Sequence, residues 1–353
     1  MDFIIPKGYS LIQTAGTGAF STVYKAERMQ THEIVAIKVM PKSSIISKVA
    51  QERLQRELTI HQNVIHPSIA RFIDLKEDDE NTYLITEFCS HGTLAELVRS
   101  RIQLPESEAR KYFFQIAQGV RYLHEVAHVI HRDLKIENIM IDRDDNARII
   151  DFGLSIEFNV NNPFIFKSCG SPKYIAPEVY FGDCYTFNID IWALGVVLYF
   201  CVCGCFPFDD PCLKNLARKV KNEEPYYPDY LSAMLKDFLS KLLRKDPTKR
   251  IKWSQIFDHP WLVEEQLNTL YKSRSQIRKM IDERMMRRKE ARQKSENDPA
   301  DGNRQPSPRS SIKKRTKSNV NGMKHILAPE STSVIDRLCA SGKFRRKEKK
   351  PEA

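Results

Sequence analysis

Several absences narrow the reading of this sequence. Its longest apolar run, Ile191 to Phe206, is 16 residues, against about 20 for a helix that crosses a bilayer. The run starts beside Asp190 and stops at Pro207, so it reads as a helix buried within a large globular unit and not as a membrane span. The opening MDFIIPKGYS has no cationic start, apolar centre or small-residue cleavage site and is read as carrying no secretory signal. Eight cysteines show no framework-like spacing, which points to reduced thiols and a cytoplasmic or nuclear setting. Cys201, Cys203 and Cys205 lack the CxxC pairs and partner histidines that zinc favours, and are expected to be buried structural thiols. No internal repeat is present.

What is there supports a globular enzyme-sized body. Across 353 residues 41% are hydrophobic, enough for one large or two ordinary domains. The net charge of +11 is unevenly spread. Residues 1–264 hold 32 Lys+Arg against 34 Asp+Glu, whereas 265–353 hold 24 against 11. A near-neutral body is thus followed by a strongly basic tail.

Glycine-punctuated alternation from Leu11 to about Val39 suggests a hairpin and a third strand. Ser43 to Val64 has helical periodicity, and 69–75 and 82–88 read as two further strands. After His91-Gly92 the pattern turns mainly helical, with long segments near 106–127, 188–203, 212–222 and 231–243. Five strands with one helix, then a helical body, indicate an α+β protein of two lobes. The globular part is expected to end at Trp261-Leu262. Residues 264–294 read as a basic amphipathic helix, and the Ser-, Pro- and Lys/Arg-rich 295–353 as disordered.

The run Ala15-Gly16-Thr17-Gly18-Ala19-Phe20-Ser21-Thr22-Val23 follows a strand signal. Glycines let backbone N–H groups approach phosphate oxygens. A dinucleotide fingerprint would open a helix here, but Val23-Tyr24-Lys25 continues as strand. Fifteen residues beyond Val23 stands Lys38, inside the apolar Val35-Ala36-Ile37-Lys38. An ion pair to a glutamate on the next helix would hold its ammonium for nucleotide phosphates. Glu57 is preferred; Glu52 is the rival. Then come His131-Arg132-Asp133-Leu134-Lys135-Ile136-Glu137-Asn138, Asp151-Phe152-Gly153 eighteen residues after Asp133, and Ala176-Pro177-Glu178.

On these motifs the chain resembles the eukaryotic protein kinase family from about Tyr9 to Leu262. The resemblance implies a bilobal fold, residues 9–88 and 89–262, and transfer of the ATP γ-phosphate to protein hydroxyls with Mg²⁺. It implies Asp133 as catalytic base, Asp151 and Asn138 as metal ligands, and Lys135 as a charge neutraliser on the moving phosphate. It also implies an adenine slot of Ala15, Val23, Ala36 and Met140, backed by Thr86 and edged by the Glu87-Phe88-Cys89 backbone. Lys135 and Ser171, the latter in Cys169-Gly170-Ser171-Pro172, sit where serine/threonine enzymes carry them. Cys-Gly-Ser-Pro and Tyr-Ile-Ala-Pro-Glu look most like the calmodulin-dependent group, in particular its AMP-activated-kinase-related branch. Asp190 is expected to anchor the catalytic loop and Arg250 to pair with Glu178.

Departures qualify the likeness, among them Ser21 in place of the third glycine and Ala15 in place of a larger Leu or Ile. Ile136 stands where proline is usual. Lys167 occupies the usual phosphorylated threonine position, so the activation segment, with Arg132 as phosphate receiver, is expected either to order unphosphorylated or to use Ser168. Thr93 replaces a glutamate that contacts basic substrates, while Glu137 remains; a weak preference for basic substrates follows. The 264–294 helix offers a partner or calmodulin-like docking face, and Lys313–Lys317 and Arg345–Lys350 resemble nuclear-localisation clusters. Nucleic-acid binding by the tail is disfavoured, because it lacks interleaved aromatics. A nucleotide-binding scaffold without transfer is the rival to an enzyme, although Lys38, Asp133 and Asp151 are all retained.

Overall fold

The computed structural model describes residues 5–18, 21–166, 169–263 and 265. The N-terminal lobe holds β1 (Tyr9–Thr17), β2 (Thr22–Arg28), β3 (Glu33–Pro41), helix α1 (Lys48–Asn63), β4 (Phe72–Glu77) and β5 (Asn81–Glu87). The strands form one antiparallel sheet in the order β1-β2-β3-β5-β4. Alternation decides which side chains go where. Val35, Ile37, Ile85 and Ala26 are buried together with Tyr9 and Tyr83, while Ala36, Lys38 and Thr86 take the opposite face.

Helix α1 starts five residues later than its periodicity suggests. Lys42–Ser44 forms a 3₁₀ turn, and Ser47 is the N-cap, its hydroxyl accepting from Ala50 N at 3.2 Å. Strand β4 lies three residues beyond the expected start; Ile69 instead makes a bridge to Ile149.

The second lobe contains α2 (Leu94–Arg101), α3 (Glu106–Glu125), β6 (Val129–Ile130), β7 (Ile139–Ile141), β8 (Ala147–Ile149), β9 (Ile156–Glu157), α4 (Pro177–Tyr180), α5 (Asn188–Cys203), α6 (Leu213–Asn222), α7 (Ala233–Leu242) and α8 (Trp253–Phe257). The short pairs β6–β9 and β7–β8 were not legible as strands; two or three residues carry no periodicity. Helix α5 is the apolar run, buried at every position from Ile189 to Val202. A helix apolar all round belongs in a core, and Gly195 lets α7 approach so closely that a Cβ there would lie 2.9 Å from Leu242 Cβ. Among the described residues no helix is long and apolar enough to cross a membrane.

The cysteine expectation needs correction. Cys201 is buried and Cys203 half-buried, but Cys205 is exposed, because the chain leaves α5 at the left-handed Gly204. Near the end of the described residues Trp261 stacks on Phe238 and donates from Nε1 to Glu106 at 3.1 Å. The helix expected over 264–294, apart from Glu265, and the tail 295–353 lie outside the described residues, as do Ala19, Phe20, Lys167 and Ser168.

Candidate active site

The sheet register assembles one wall of the site. Val23 pairs with Lys38 across β2 and β3, and Ala36 with Thr86 across β3 and β5. Directly opposed residues share a face, so Val23, Ala36, Lys38 and Thr86 line up together. The glycine turn closes tightly beside them: Gly16 pairs with Val23, Thr17 with Thr22, and Gly18 N donates to Ser21 O at 2.8 Å. Ala15 precedes this turn on β1. Beyond β5, Glu87 leads through Cys89 into the second lobe, where Met140 sits on β7.

Lys38 Nζ donates to Glu57 Oε1 at 2.6 Å and lies 3.4 Å from Asp151 Oδ1. Glu57 is on the buried face of α1, whereas Glu52 is exposed on the same helix. Burial alone would push the Lys38 ammonium down, but the Glu57 and Asp151 carboxylates outweigh it and hold the pKa above its usual value. At Asp151 burial acts upward; the Lys38 charge and the Gly153 N–H outweigh it, so the carboxyl stays below its ordinary range. Asp151 adopts φ +64°, a left-handed backbone that costs a non-glycine residue energy and recurs at functional sites.

A second cluster surrounds Asp133. Its Oδ1 accepts from Ser171 Oγ at 2.8 Å and Ser171 N at 3.0 Å, and its Oδ2 from Lys135 Nζ at 2.9 Å. Lys135 also reaches Ser171 Oγ at 3.3 Å. Asn138 donates its amide to Asp133 O at 3.0 Å, which leaves its side-chain oxygen for another partner. Gly170 makes the close approach of the segment feasible: at φ +113°, a Cβ would stand 2.8 Å from Arg132 O.

Behind the loop, fully buried Asp190 accepts from His131 N at 2.8 Å, Arg132 N at 2.9 Å and His124 Nε2 at 2.8 Å. Burial would raise its pKa, but those donors lower it on balance. Arg250 closes on Glu178 with two bonds of 2.8 and 3.0 Å. Ile136 N, a donor that proline lacks, gives its hydrogen to Tyr174 Oη at 3.3 Å.

Two residues escaped the motif reading. His61, four positions after Glu57 and therefore on the same helix face, packs its ring 4.9 Å from that of Phe152 and bonds Ala70 O at 2.8 Å. Arg53, one turn before Glu57, donates to Gly153 O at 2.6 Å. Helical spacing from Glu57 could have singled out both.

A protein kinase domain model matches residues 9–262. The chain is 39% identical over 256 residues to "Serine/threonine protein kinase OSK3" of Oryza sativa subsp. indica, covering 72% of this chain and 50% of that protein. It is 38% identical over 258 residues to "SNF1-related protein kinase catalytic subunit alpha KIN12" of Arabidopsis thaliana, covering 73% and 52%. "Serine/threonine-protein kinase SIK2" of Gallus gallus is 38% identical over 255 residues, covering 72% and 32%. This chain therefore belongs to the protein kinase family and carries its α+β bilobal fold. It spans about half the length, or less, of these relatives.

Proposed function

We propose that this chain transfers the γ-phosphoryl group of ATP to serine or threonine hydroxyls of proteins. The observation that carries the reading is a pair of polar clusters, Lys38, Glu57 and Asp151 in one and Asp133, Lys135, Asn138 and Ser171 in the other, with Ile150 N, next to Asp151, donating to Asn138 O at 2.9 Å. The donor set suits Mg²⁺, since Asp151 is held ionised and Asn138 keeps a side-chain oxygen available. Bound there, the ion would neutralise phosphate charge. Lys38 grips the nucleotide phosphates, and Glu57 keeps its ammonium in place. Asp133 orients the substrate hydroxyl and takes its proton, while Ser171 and Lys135 fix the carboxylate. Rate is supplied by positioning and electrostatics.

Glu137 supports a preference for basic substrates, but only a weak one. One of its oxygens faces Arg99 at 3.3 Å and the other accepts from Tyr174 Oη at 3.2 Å, so a substrate cation must compete for it. Of the two activation readings, the one through Ser168 is favoured by Arg132. Its buried guanidinium donates to Leu154 O at 2.7 Å and Tyr185 Oη at 3.2 Å, both neutral, and a buried cation so held favours an added anion.

The test is transfer of labelled γ-phosphate from Mg-ATP to a serine/threonine peptide library by the purified chain. Labelling that disappears in Lys38→Met supports the reading. Folded, nucleotide-binding protein that labels nothing would overturn it in favour of a scaffold. Ser168→Ala retaining full activity would return the activation segment to the phosphate-free version.

A further inference from the structure

Arg148 takes no part in the reading above, yet it lies beside the adenine slot. On the β7–β8 hairpin it is paired directly with Met140, so the two side chains leave the same face. Its Nε and Nη2 donate to Asp142 Oδ2 at 3.0 and 2.8 Å, and its Nε lies 3.4 Å from Glu87 Oε1. That glutamate oxygen is buried and makes no hydrogen bond. Among the described residues Arg148 is thus its polar counterpart. Asp142 is itself firmly placed, accepting from Asp144 N and Asn146 N, each at 2.9 Å.

The far end of the same connecting segment is tied to the same residue. The His91 ring bonds Asp142 O at 2.6 Å, and His91 N donates to Ile141 O at 3.1 Å. Glu87 and His91 therefore bracket Cys89, and both ends run to Asp142, one through Arg148 and one directly. Removing one member of such a group strands the other charge out of water, so the segment end would shift to rehydrate Glu87.

We propose that Arg148 is a positioning residue for the nucleotide: by joining Asp142 to Glu87 it clasps the interlobe segment against the hairpin that floors the adenine slot. The inference rests on the kinase reading for the identity of that slot. The adenine edge is met by backbone groups between Glu87 and Cys89, and small displacements there weaken binding without touching Asp133 or Asp151.

The experiment compares wild type, Arg148→Met, Glu87→Gln and the double variant in the full chain. It measures Mg-ATP affinity by calorimetry, KM for ATP, KM for peptide, kcat and Tm. Arg148→Met is expected to raise KM and Kd for ATP by about 5–20-fold, with kcat within about threefold and peptide KM unchanged. The double variant is expected to lose no more than the worse single one, because the two residues act as a unit. ATP affinity within about twofold of wild type alongside a lowered Tm, or fully additive losses, would overturn the clasp. Should Arg148→Met fail to fold, Glu87→Gln alone decides, since it removes the same attraction while keeping size. If wild type binds Mg-ATP but transfers nothing, the proposed function falls, and the calorimetric comparison still decides the clasp.

Discussion

At the lobe junction Lys38, Glu57 and Asp151 form an ion cluster whose outer members stay reachable: the side chains of Lys38 and Asp151 are 25% and 39% exposed. In the helical body Arg250 and Glu178 are 1% and 5% exposed and are closed on each other by two bonds. Both groups use the same chemistry of cation and carboxylate. The difference lies in what is left over. Arg250 also donates to Asn188 O and Arg244 O at 2.8 and 3.1 Å and is 1% exposed, so it is closed to a ligand from solvent. Asp151 and Lys38 stay partly open to solvent, as the proposed metal and phosphate contacts would require. Exposure with spare bonding capacity marks the charges that act; complete satisfaction marks those that build.

Experiments can break that contrast, and the largest effect should come from the open cluster. Asp151→Asn or Lys38→Met is expected to lower phosphate transfer by about 10²–10³-fold, the scale of losing one preorganised charge contact, with Tm close to wild type for Asp151→Asn, whose side chain is 39% exposed. A large fall in Tm would mean that the open cluster builds as well. Arg250→Ala is expected to cost about 3–5 kcal/mol of stability, since it leaves Glu178 buried and unpaired. Denaturant unfolding measures this, and kcat of the folded fraction should hold. A loss of kcat at unchanged stability would erase the distinction.

His61 supplies a smaller, pH-dependent effect. Burial lowers its pKa; the Ala70 carbonyl bond acts upward, and the Lys38 charge downward again. An imidazole depressed by folding binds fewer protons folded than unfolded. Its penalty is absent above about pH 6.5 and grows as pH falls below that value. Half-buried His66 is lowered in the same direction. Tm should therefore be flat above neutrality and drop toward pH 5.5, and His61→Leu should flatten that drop; parallel curves would refute the assignment. The smallest effect belongs to exposed pairs. Arg101 and Glu108 meet at 2.7 Å with half-exposed side chains, and Arg101→Ala should move stability by no more than about 0.5 kcal/mol.

Much of the fold was legible because its cues are local. The strand alternation of β2, β3 and β5 and the span of α5 follow from side-chain periodicity, as do the long helices. The start of α1 was misplaced, because the helical periodicity runs back to Ser43 while the hydroxyl of Ser47 makes the cap. The β6–β9 and β7–β8 pairs are too short to carry a pattern. At the site, the motif residues could be named through the resemblance to protein kinases, and the choice of Glu57 over Glu52 agrees with the helix face that is buried. His61 and Arg148 went unread, since neither lies in a motif; one matters through a ring contact and the other through a pairing 61 positions away in the chain.

By itself the sequence determined which chemical groups this protein has to work with, and their order. Phosphate, metal and hydroxyl each call on side chains carried by short motifs, and the spacing within a motif survives in a linear string. Only the tertiary structure decided which charges finish each other and which are left open. That outcome depends on sheet register, helix phase and burial, where partners distant in sequence compete for the same dry space.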